Sequence, residues 1–364
     1  MLAAYLIIVV WVLLIACTIY LWSKQKAKWE SAVLSCSVIV PFRNEIDHLA
    51  SIVKALALQD LKRVEVIFVD DHSTDDSGEV LRKALESSGL EAQVLALKDI
   101  EGKKAALSYG ISKAQNDIII TTDADCEMGS QWLTSMLQPF ADKQINLVTG
   151  PVYLLGNSLL QRFQSLEMSA LMGITAASIH LGNPTMANGA NFAFRKSVFE
   201  NLKGYQGIDH IPSGDDELFM YKVHSAYPNS IRFNSDWRSK VSTLAKPSLE
   251  EMIAQKRRWA SKWKVNKRWS TIVLSLFILA VNLAQFAMIY EILTVATTYR
   301  MGLWAILLKF LVEALLIQKV RSDLGEKTGF FDYVVSFVFY PVYALYIAIA
   351  ANFGSYEWKG RRYS

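Results

Sequence analysis

Short apolar runs alternate with helix-period segments along the first part of the chain. Runs rich in β-branched residues predict strands at 33–42, 64–71, 92–98, 117–125 and 145–152. Segments with apolar positions at helical spacing lie between them, near 45–59, 75–88, 102–114 and 130–139. The strand runs are nearly continuous, as expected of parallel strands that are buried on both faces. The pattern therefore predicts an α/β sheet domain.

Other apolar stretches are long enough to cross a membrane. Residues 2–22 carry no charge, and three further apolar stretches lie at about 271–297, 302–318 and 331–351. A helix needs about 20 apolar residues to span a bilayer, so all four are candidate membrane segments. Because no basic segment precedes the first stretch, we expect an uncleaved anchor and not a secretory signal peptide.

The charges beside these stretches predict an orientation. Lys24, Lys26 and Lys28 follow the first stretch and favour a cytoplasmic position for the next domain. Four complete spans would then leave the basic tail around Lys359 outside, against the tendency of basic segments to remain in the cytoplasm. We therefore expect one segment to be re-entrant, or Pro341 to divide the last one into two short pieces. The expected location is a bacterial inner membrane, crossed several times.

Two segments have mixed character. Residues 249–269 are dense in Lys, Arg and Trp, which is typical of an amphipathic helix lying among lipid headgroups. We expect Trp259, Trp263 and Trp269 to face that interface. Residues 166–186 are rich in Met and only mildly polar, so they form either core or a membrane-facing groove, and we favour the groove.

Composition narrows the function classes. Hydrophobic residues make up 52% of the 364 residues, which is high for a wholly soluble protein. The net charge is only +4, and the basic residues gather beside the apolar segments, which favours membrane contact over binding of a nucleic acid polymer. Cys17, Cys36 and Cys126 are odd in number and widely spaced, so neither a disulfide framework nor a zinc site is predicted.

Polar clusters follow the predicted strands. The first strand ends in Pro41-Phe-Arg-Asn-Glu45, the second in Asp70-Asp-His-Ser-Thr-Asp75, and the fourth in Asp123-Ala-Asp125. In an open parallel sheet these ends meet at one edge, where ligands bind. Carboxylates ~4 Å apart repel by about 4 kcal/mol at an effective dielectric near 20, and a divalent cation relieves that repulsion. Alternation along a strand puts both carboxylates of Asp123 and Asp125 on one side, so Mg²⁺ or Mn²⁺ bridging to substrate phosphates is expected.

Six segments together resemble the family 2 inverting glycosyltransferases, which include cellulose, hyaluronan and chitin synthases and ceramide glucosyltransferase. They occur in the family's order: Val38–Glu45, Val69–Asp75 with His72 in place of the usual glycine, Glu101–Ala105, Asp123–Asp125, Asn188–Asn191 and Gln255–Trp259. The resemblance covers residues 36 to 260. It implies a GT-A-type fold with a mixed, mainly parallel sheet, flanked here by N-terminal and C-terminal transmembrane helices.

The resemblance also implies a set of site residues. Donor binding is assigned to Pro41, Asn44, Glu45, Asp70, Asp71, Lys103, Asp123, Gln255, Arg258 and Trp259. Pro41, Glu45 and either Asp71 or Asp70 would hold the nucleoside, and Lys103 would approach the base or the phosphates. Asp123 would lie near the ribose and Asp125 on the metal, with Asp123 as the second candidate ligand. The expected cofactor is Mg²⁺ or Mn²⁺.

The catalytic base is left open between two neighbours. The family usually has Glu-Asp-x-Asp-Leu where this chain has Gly214-Asp-Asp-Glu-Leu218. An alignment on the leucine favours Asp215, and an alignment on the carboxylate pair admits Asp216. The base must lie within hydrogen-bond reach of the acceptor hydroxyl, opposite the leaving phosphate.

The implied organisation follows the motifs. We expect an anchor at 1–23, a cytoplasmic catalytic domain at 33–248 with a nucleotide-sugar half (33–152) and an acceptor half (153–248), an interfacial helix at 249–269, membrane segments at 270–352 and a basic tail at 353–364. The expected activity is transfer of a sugar, carried by UDP on the resemblance, to a lipid or glycan acceptor. The alternatives are a processive polysaccharide synthase and an inactive nucleotide-binding scaffold. A dinucleotide-dependent dehydrogenase is disfavoured, because no Gly-x-Gly-x-x-Gly follows the first strand.

Overall fold

A computed structural model describes residues 1–24, 35–61, 64–211, 213–261, 268–294, 299–350, 356–358 and 361–363. The strands are β1 (Cys36–Phe42), β2 (Val64–Asp70), β3 (Gln93–Ala96), β4 (Ile118–Thr121), β5 (Glu127–Met128), β6 (Leu147–Thr149), β7 (Val152–Leu155), β8 (Phe192–Arg195), β9 (Ile231–Phe233), β10 (Val241–Leu244), β11 (Tyr356–Trp358) and β12 (Arg361–Tyr363). The helices are α1 (Leu2–Lys24), α2 (Leu49–Ala57), α3 (Ser77–Ser88), α4 (Lys103–Lys113), α5 (Trp132–Leu137), α6 (Leu159–His180), α7 (Lys196–Asn201), α8 (Glu217–Ala226), α9 (Leu249–Ser261), α10 (Trp269–Thr294), α11 (Tyr299–Asp323) and α12 (Phe330–Ala350). Lys26, Lys28, Trp263 and Lys359, which the orientation and interface predictions use, lie outside the described residues.

A seven-stranded mixed sheet forms the centre of the molecule. Its strand order is β3-β2-β1-β4-β8-β6-β9. Strands β1 to β4 are parallel, with Val38 paired to Val66 on one side and to Ile120 on the other. Strand β8 runs antiparallel to both β4 and β6. Every residue of β1 is buried, so the continuous apolar run predicted a central strand correctly. The predicted mixed, mainly parallel sheet is confirmed.

Three predicted strands differ in detail. β3 lies at the edge of the sheet and is mostly exposed, so it is not buried on both faces. The predicted strand 145–152 divides at Gly150 and Pro151 into β6 and β7, which belong to different sheets. The predicted strand 117–125 ends at Thr121, and Asp123 to Asp125 occupy the turn that follows. The alternation of side chains along a pleat therefore does not explain how these two carboxylates are placed.

A small second sheet adjoins the first beyond that turn. It has the order β5-β10-β7, with β10 parallel to β7 and antiparallel to β5. Because β5 follows the Asp123–Asp125 turn directly, its pairing with β10 fixes the far end of that turn. Thr243 on β10 reaches the turn and donates a hydrogen bond to Asp125 Oδ2 at 3.3 Å.

Helix α6 joins the sheet domain to the apolar helices. It begins at a capping box in which Ser158 and Gln161 satisfy each other's backbone N–H groups. A side chain at Gly173 would lie 3.0 Å from Leu316 and 3.3 Å from Val320, so this position permits close approach to α11. The Met-rich segment predicted as core or groove is thus largely one helix, whose Met168, Met172 and Ala176 belong to the shared core.

Among the described residues, four helices are long and apolar enough to cross a membrane: Leu2–Lys24, Trp269–Thr294, Arg300–Asp323 and Phe330–Ala350. They correspond to the four stretches predicted from hydropathy. Pro341 lies inside α12, which continues through it, so the division of that segment at proline is not found. Helix α9 ends at Ser261, and Trp269, which was expected on the same helix, begins α10.

Candidate active site

A cleft of about 480 Å³ opens beyond the ends of β1, β2 and β4. Most of the predicted site residues line it: Pro41, Glu45, Asp71, Lys103, Asp123, Asp125, Asp215, Asp216, Gln255, Arg258 and Trp259. Asn44 and Asp70 do not line it. Residues from three regions of the chain, between Pro41 and Trp259, are thus brought to one edge of the sheet, where ligands bind in open α/β folds.

Lys103 lies at the centre of the acidic cluster. It begins α4, and its Nζ donates to Asp123 Oδ1 at 2.6 Å and lies 3.6 Å from Asp215 Oδ2. Burial lowers the pKa of the Lys103 ammonium, but the charges of Asp123, Asp215 and Asp216 outweigh burial and raise that pKa above its usual value. Lys103 therefore remains protonated at neutral pH and neutralises part of the cluster.

The Asp123–Asp125 turn presents both carboxylates to the cleft. The Thr243 hydroxyl, at 3.3 Å, and the Cys126 thiol, at 3.8 Å, make only long contacts with Asp125. Burial, together with the charges of Asp125 and Asp123, raises the pKa of the Cys126 thiol well above its usual value, so the thiol is protonated at neutral pH. Hard carboxylate oxygens suit Mg²⁺ or Mn²⁺. Within the described part of the chain, no three His, Cys, Asp or Glu residues cluster as a complete metal site, so a cation here needs further ligands.

Asp71 and Asp70 have different surroundings. Asp71 lies in the cleft wall, only 4% exposed, and its Oδ1 accepts the Gly102 N–H at 2.9 Å. Asp70 Oδ1 instead accepts the Ser73 N–H at 2.9 Å. The structure thus separates two neighbours that the sequence left as alternatives.

Asn44 stabilises the turn that follows β2. Its side-chain oxygen accepts the Thr74 N–H at 2.8 Å, and its own N–H donates to Ser73 Oγ at 3.1 Å. His72, in the position of the family's glycine, has φ 60° and so takes the left-handed conformation that glycine favours. Asn44 and Asp70 therefore shape the loop that carries Asp71.

The two candidate bases also differ. Both oxygens of Asp216 accept backbone N–H groups, from Gly189 at 2.8 Å and from Glu217 at 2.6 Å, and Asp216 caps the N-terminus of α8. Asp215 lies beside the Lys103 ammonium in the cleft, with its side chain 12% exposed. The arrangement therefore commits Asp216 to the backbone and leaves Asp215 facing the acidic cluster.

Gly189 was not singled out by sequence reasoning, although it lies in the Asn188–Asn191 motif. A Cβ at this position would lie 3.0 Å from Asp215 Oδ2 and 3.4 Å from Lys103 Nζ. Its carbonyl accepts the Thr121 hydroxyl at 2.9 Å, which ties it to the end of β4. The motif's asparagine is structural: Asn191 is fully buried and bonds to Trp132, Pro151 and Ser239.

Helix α9 forms one wall of the cleft. Gln255, Arg258 and Trp259 line the cavity from this helix. Lys256 points into the protein instead: its Nζ donates to Glu167 Oε2 at 2.6 Å and lies 4.5 Å from the Trp259 ring centroid. The Tyr343 hydroxyl of α12 also donates to Glu167, at 3.2 Å. In the sequence, the Glu167–Lys256 pair is indicated only by Glu167, a carboxylate within an otherwise apolar stretch.

One part of the chain, which carries Pro41, Asp71 and the Asp123–Asp125 turn of the cleft, matches a known protein family. Residues 37–203 match the family model described as Glycosyl transferase family 2. The chain is 35% identical over 94 residues to an undecaprenyl-phosphate 4-deoxy-4-formamido-L-arabinose transferase from Edwardsiella ictaluri, covering 25% of this chain and 29% of that protein. It is 26% identical over 220 residues to a poly-beta-1,6-N-acetyl-D-glucosamine synthase from Staphylococcus aureus, covering 60% of this chain and 52% of that protein. The chain thus spans about half, or less, of the length of these curated relatives.

A solved structure shares the fold over nearly the whole chain. The mannosyltransferase PcManGT from Pyrobaculum calidifontis, in complex with GDP-Man and Mn²⁺, aligns with a TM-score of 0.56 at 16% identity. The alignment covers 96% of this chain and 97% of that chain. It confirms the predicted GT-A-type architecture, with the apolar helices included in the match.

Proposed function

We propose that this chain, whose residues 37–203 form a glycosyltransferase family 2 domain, transfers a sugar from a nucleotide-diphosphate donor to a lipid or lipid-linked acceptor. The observation that carries the proposal is the cleft itself. Asp123 and Asp125, the Lys103–Asp215 pair and Arg258 all line this one cavity. These groups suit the recognition of a pyrophosphate, the holding of a cation and the removal of a proton within one site.

The donor would be held between helix α9 and the side of the cleft that carries Asp123 and Asp125. Asp125, with Asp123, would hold Mg²⁺ or Mn²⁺, which would complete its shell with the donor's phosphate oxygens and neutralise the leaving group. The Arg258 guanidinium can bind phosphate oxygens bidentately, and the Trp259 ring offers a flat apolar face to a sugar. Pro41, Glu45 and Asp71 would enclose the nucleoside. UDP is the proposed carrier.

Asp215 would act as the general base. Its carboxylate accepts the proton of the acceptor hydroxyl as that oxygen attacks the anomeric carbon. The bond between this carbon and the donor's phosphate oxygen breaks in the same step, and the nucleoside diphosphate leaves. One displacement inverts the anomeric centre, so an α-linked donor gives a β-glycoside. Lys103 would remain charged throughout and limit the repulsion between Asp215 and Asp123.

The acceptor is proposed to come from the membrane. Helix α9, which carries Arg258 and Trp259, contacts α12, one of the four candidate spans. The cytoplasmic face is the proposed side, because nucleotide sugars are made there. The undecaprenyl-phosphate arabinose transferase among the relatives is named for a lipid-linked substrate. The poly-beta-1,6-N-acetyl-D-glucosamine synthase supports the second candidate, processive synthesis of a polysaccharide.

One assay separates these candidates. The purified full-length chain in lipid nanodiscs is incubated with Mg²⁺ or Mn²⁺ and a panel of radiolabelled nucleotide sugars, and products are divided into lipid-soluble and polymeric fractions. The proposal expects label in the lipid fraction with one or a few sugars per acceptor. A polymeric product would establish processive synthesis instead. No transfer and no donor hydrolysis with any nucleotide sugar would support the inactive scaffold.

A further inference from the structure

A second cavity, of about 100 Å³, lies within the bundle of apolar helices. All four candidate membrane helices and α6 contribute to its wall, which is mostly apolar and aromatic. Its polar members include Glu167 on α6, Asn282 on α10, and Lys309 and Glu313 on α11. Ionisable residues are rare in membrane helices and usually mark a functional site, so this cluster requires an explanation that the donor cleft does not provide.

Each carboxylate of this cavity already has a cation. Glu313 pairs with Lys309 at 2.7 Å and accepts the Trp11 N–H at 2.6 Å. Glu167 pairs with Lys256, and its side chain and that of Lys256 are 10% and 8% exposed. Within the cavity wall, an anionic headgroup would meet the carboxylates of Glu167 and Glu313, and a cationic one would meet the Lys309 ammonium. The charge balance therefore favours an uncharged ligand.

One acceptor in the wall has no hydrogen-bond donor. Asn282 is 2% exposed, and its amide nitrogen donates to Ile278 O at 2.7 Å, which fixes the orientation of the amide. Its Oδ1 is buried and has no partner among the described residues. A buried acceptor without a partner is destabilising, so a ligand that brings a donor to this atom is favoured.

We propose that this cavity binds the uncharged, hydroxyl-bearing head of a membrane lipid. The hydroxyl donates to Asn282 Oδ1, and the apolar wall accepts the adjoining carbon chain. The site adjoins the donor cleft, since Glu167 lines the cavity while the next residue, Met168, lines the cleft. The inference rests on the proposed function in one respect, that the sugar acceptor is such a lipid, whose hydroxyl must leave Asn282 before it donates its proton to Asp215.

A binding experiment without donor tests the proposal. The full-length chain in phosphatidylcholine nanodiscs is photolabelled with a diazirine-bearing 1,2-diacylglycerol, and the labelled peptides are mapped. We expect saturable labelling of α10 and α11 that unlabelled diacylglycerol displaces and phosphatidic acid with the same acyl chains does not. Unsaturable labelling, or equal displacement by phosphatidic acid, would overturn the proposal.

A matched pair of variants identifies the atom. Gln285 is also 2% exposed with an unpartnered side-chain oxygen, but it does not line the cavity. Asn282→Leu should raise the half-saturating concentration of the probe by about threefold to tenfold, the worth of one neutral hydrogen bond, while Gln285→Leu leaves it unchanged. If Asn282→Leu labels like the wild type, Asn282 Oδ1 does not accept the lipid hydroxyl and the proposal fails. The labelling contains no sugar donor and is independent of catalysis, so saturable labelling combined with no transfer in the nucleotide-sugar assay would contradict the proposed function and leave this site intact.

Discussion

At the scale of single residues, the structure distinguishes neighbours that the sequence could not. Asp70 and Asp71 are consecutive, and adjacent residues in an extended segment point to opposite sides, so a one-position uncertainty in register exchanges their roles. Asp215 and Asp216, in the turn before α8, both line the cleft but differ in their partners. The motif order predicted that these carboxylates would meet. The surroundings of each depend on backbone N–H groups from Gly102, Gly189 and Glu217, which no local pattern reveals.

The first prediction concerns the base. Asp215→Asn should lower kcat by about 10²–10⁴-fold, because the amide cannot accept the acceptor's proton. Asp216→Asn should lower kcat less, since the asparagine oxygen still caps α8 although its NH2 cannot accept the second of the two backbone N–H groups that Asp216 binds. Initial rates at saturating substrate, with circular dichroism as the folding control, measure both. The reverse order of effects would assign the base to Asp216.

A second prediction concerns His72, which has φ 60° at the position of the family's glycine. His72→Gly should stabilise the fold by roughly 1 kcal/mol, because glycine adopts this conformation without the steric cost of a side chain. Lys203→Gly, at φ 55° and outside the cleft, is the matched control and should raise the thermal midpoint similarly. Only His72→Gly should change the donor KM. A lower midpoint for His72→Gly would show that its contact with Asp71, at 3.2 Å, outweighs the strain.

At the scale of elements, the pattern of apolar residues predicted strands and helices well where it was continuous. The central strands were predicted because they are buried on both faces, and the four apolar helices because each is a long apolar run with few charges. α6 was missed as a helix, because it contacts the sheet on one side and other helices on the other, and its apolar positions therefore show no clear stripe. For α9 the Trp and Arg pattern indicated a membrane interface, but Arg258 and Trp259 also line the cleft.

The third prediction tests how α9 is held. Glu167→Gln and Lys256→Met should each raise the donor KM and destabilise the fold by about 3–5 kcal/mol, because a buried charge is left without its partner. The exchange Glu167→Lys with Lys256→Glu should recover part of both losses. Lys83→Met, which breaks the exposed Lys83–Glu79 pair, is the control and should change neither quantity measurably. Unchanged KM in the single variants would mean that this pair does not position Arg258 and Trp259.

At the scale of the whole molecule, the sheet and the apolar helices share one core. Buried residues of α1, α6 and α11 belong to the same cluster as Ile39 and Phe192 of the sheet. Hydrogen bonds connect α1 to the later helices: Tyr5 donates to Glu291, Trp11 to Glu313 and Trp22 to Asp323. Hydropathy predicted α1 as a separate anchor. It could not show these contacts, since they join residues about 300 positions apart.

A fourth prediction follows from this shared core. Trp22 is 1% exposed and its ring centroid lies 5.8 Å from that of Phe233 on β9. Trp22→Ala should destabilise the entire chain by about 3–5 kcal/mol and lower the thermal midpoint of the catalytic domain. Trp237→Ala is the control, because Trp237 is 60% exposed. If Trp22→Ala leaves the midpoint unchanged, α1 is an independent anchor.

The proposed function depends on Asp123 and Asp125, in the turn after β4, holding a cation against a pyrophosphate. Isothermal titration of UDP and GDP into the full-length protein, with and without Mn²⁺, tests this most directly. We predict that one nucleotide binds only when Mn²⁺ is present. Binding should disappear in Asp125→Ala and persist in Glu86→Ala, which removes a carboxylate exposed on α3. Nucleotide binding that is unaffected by Mn²⁺ and by Asp125→Ala, or no binding of either nucleotide, would contradict the account.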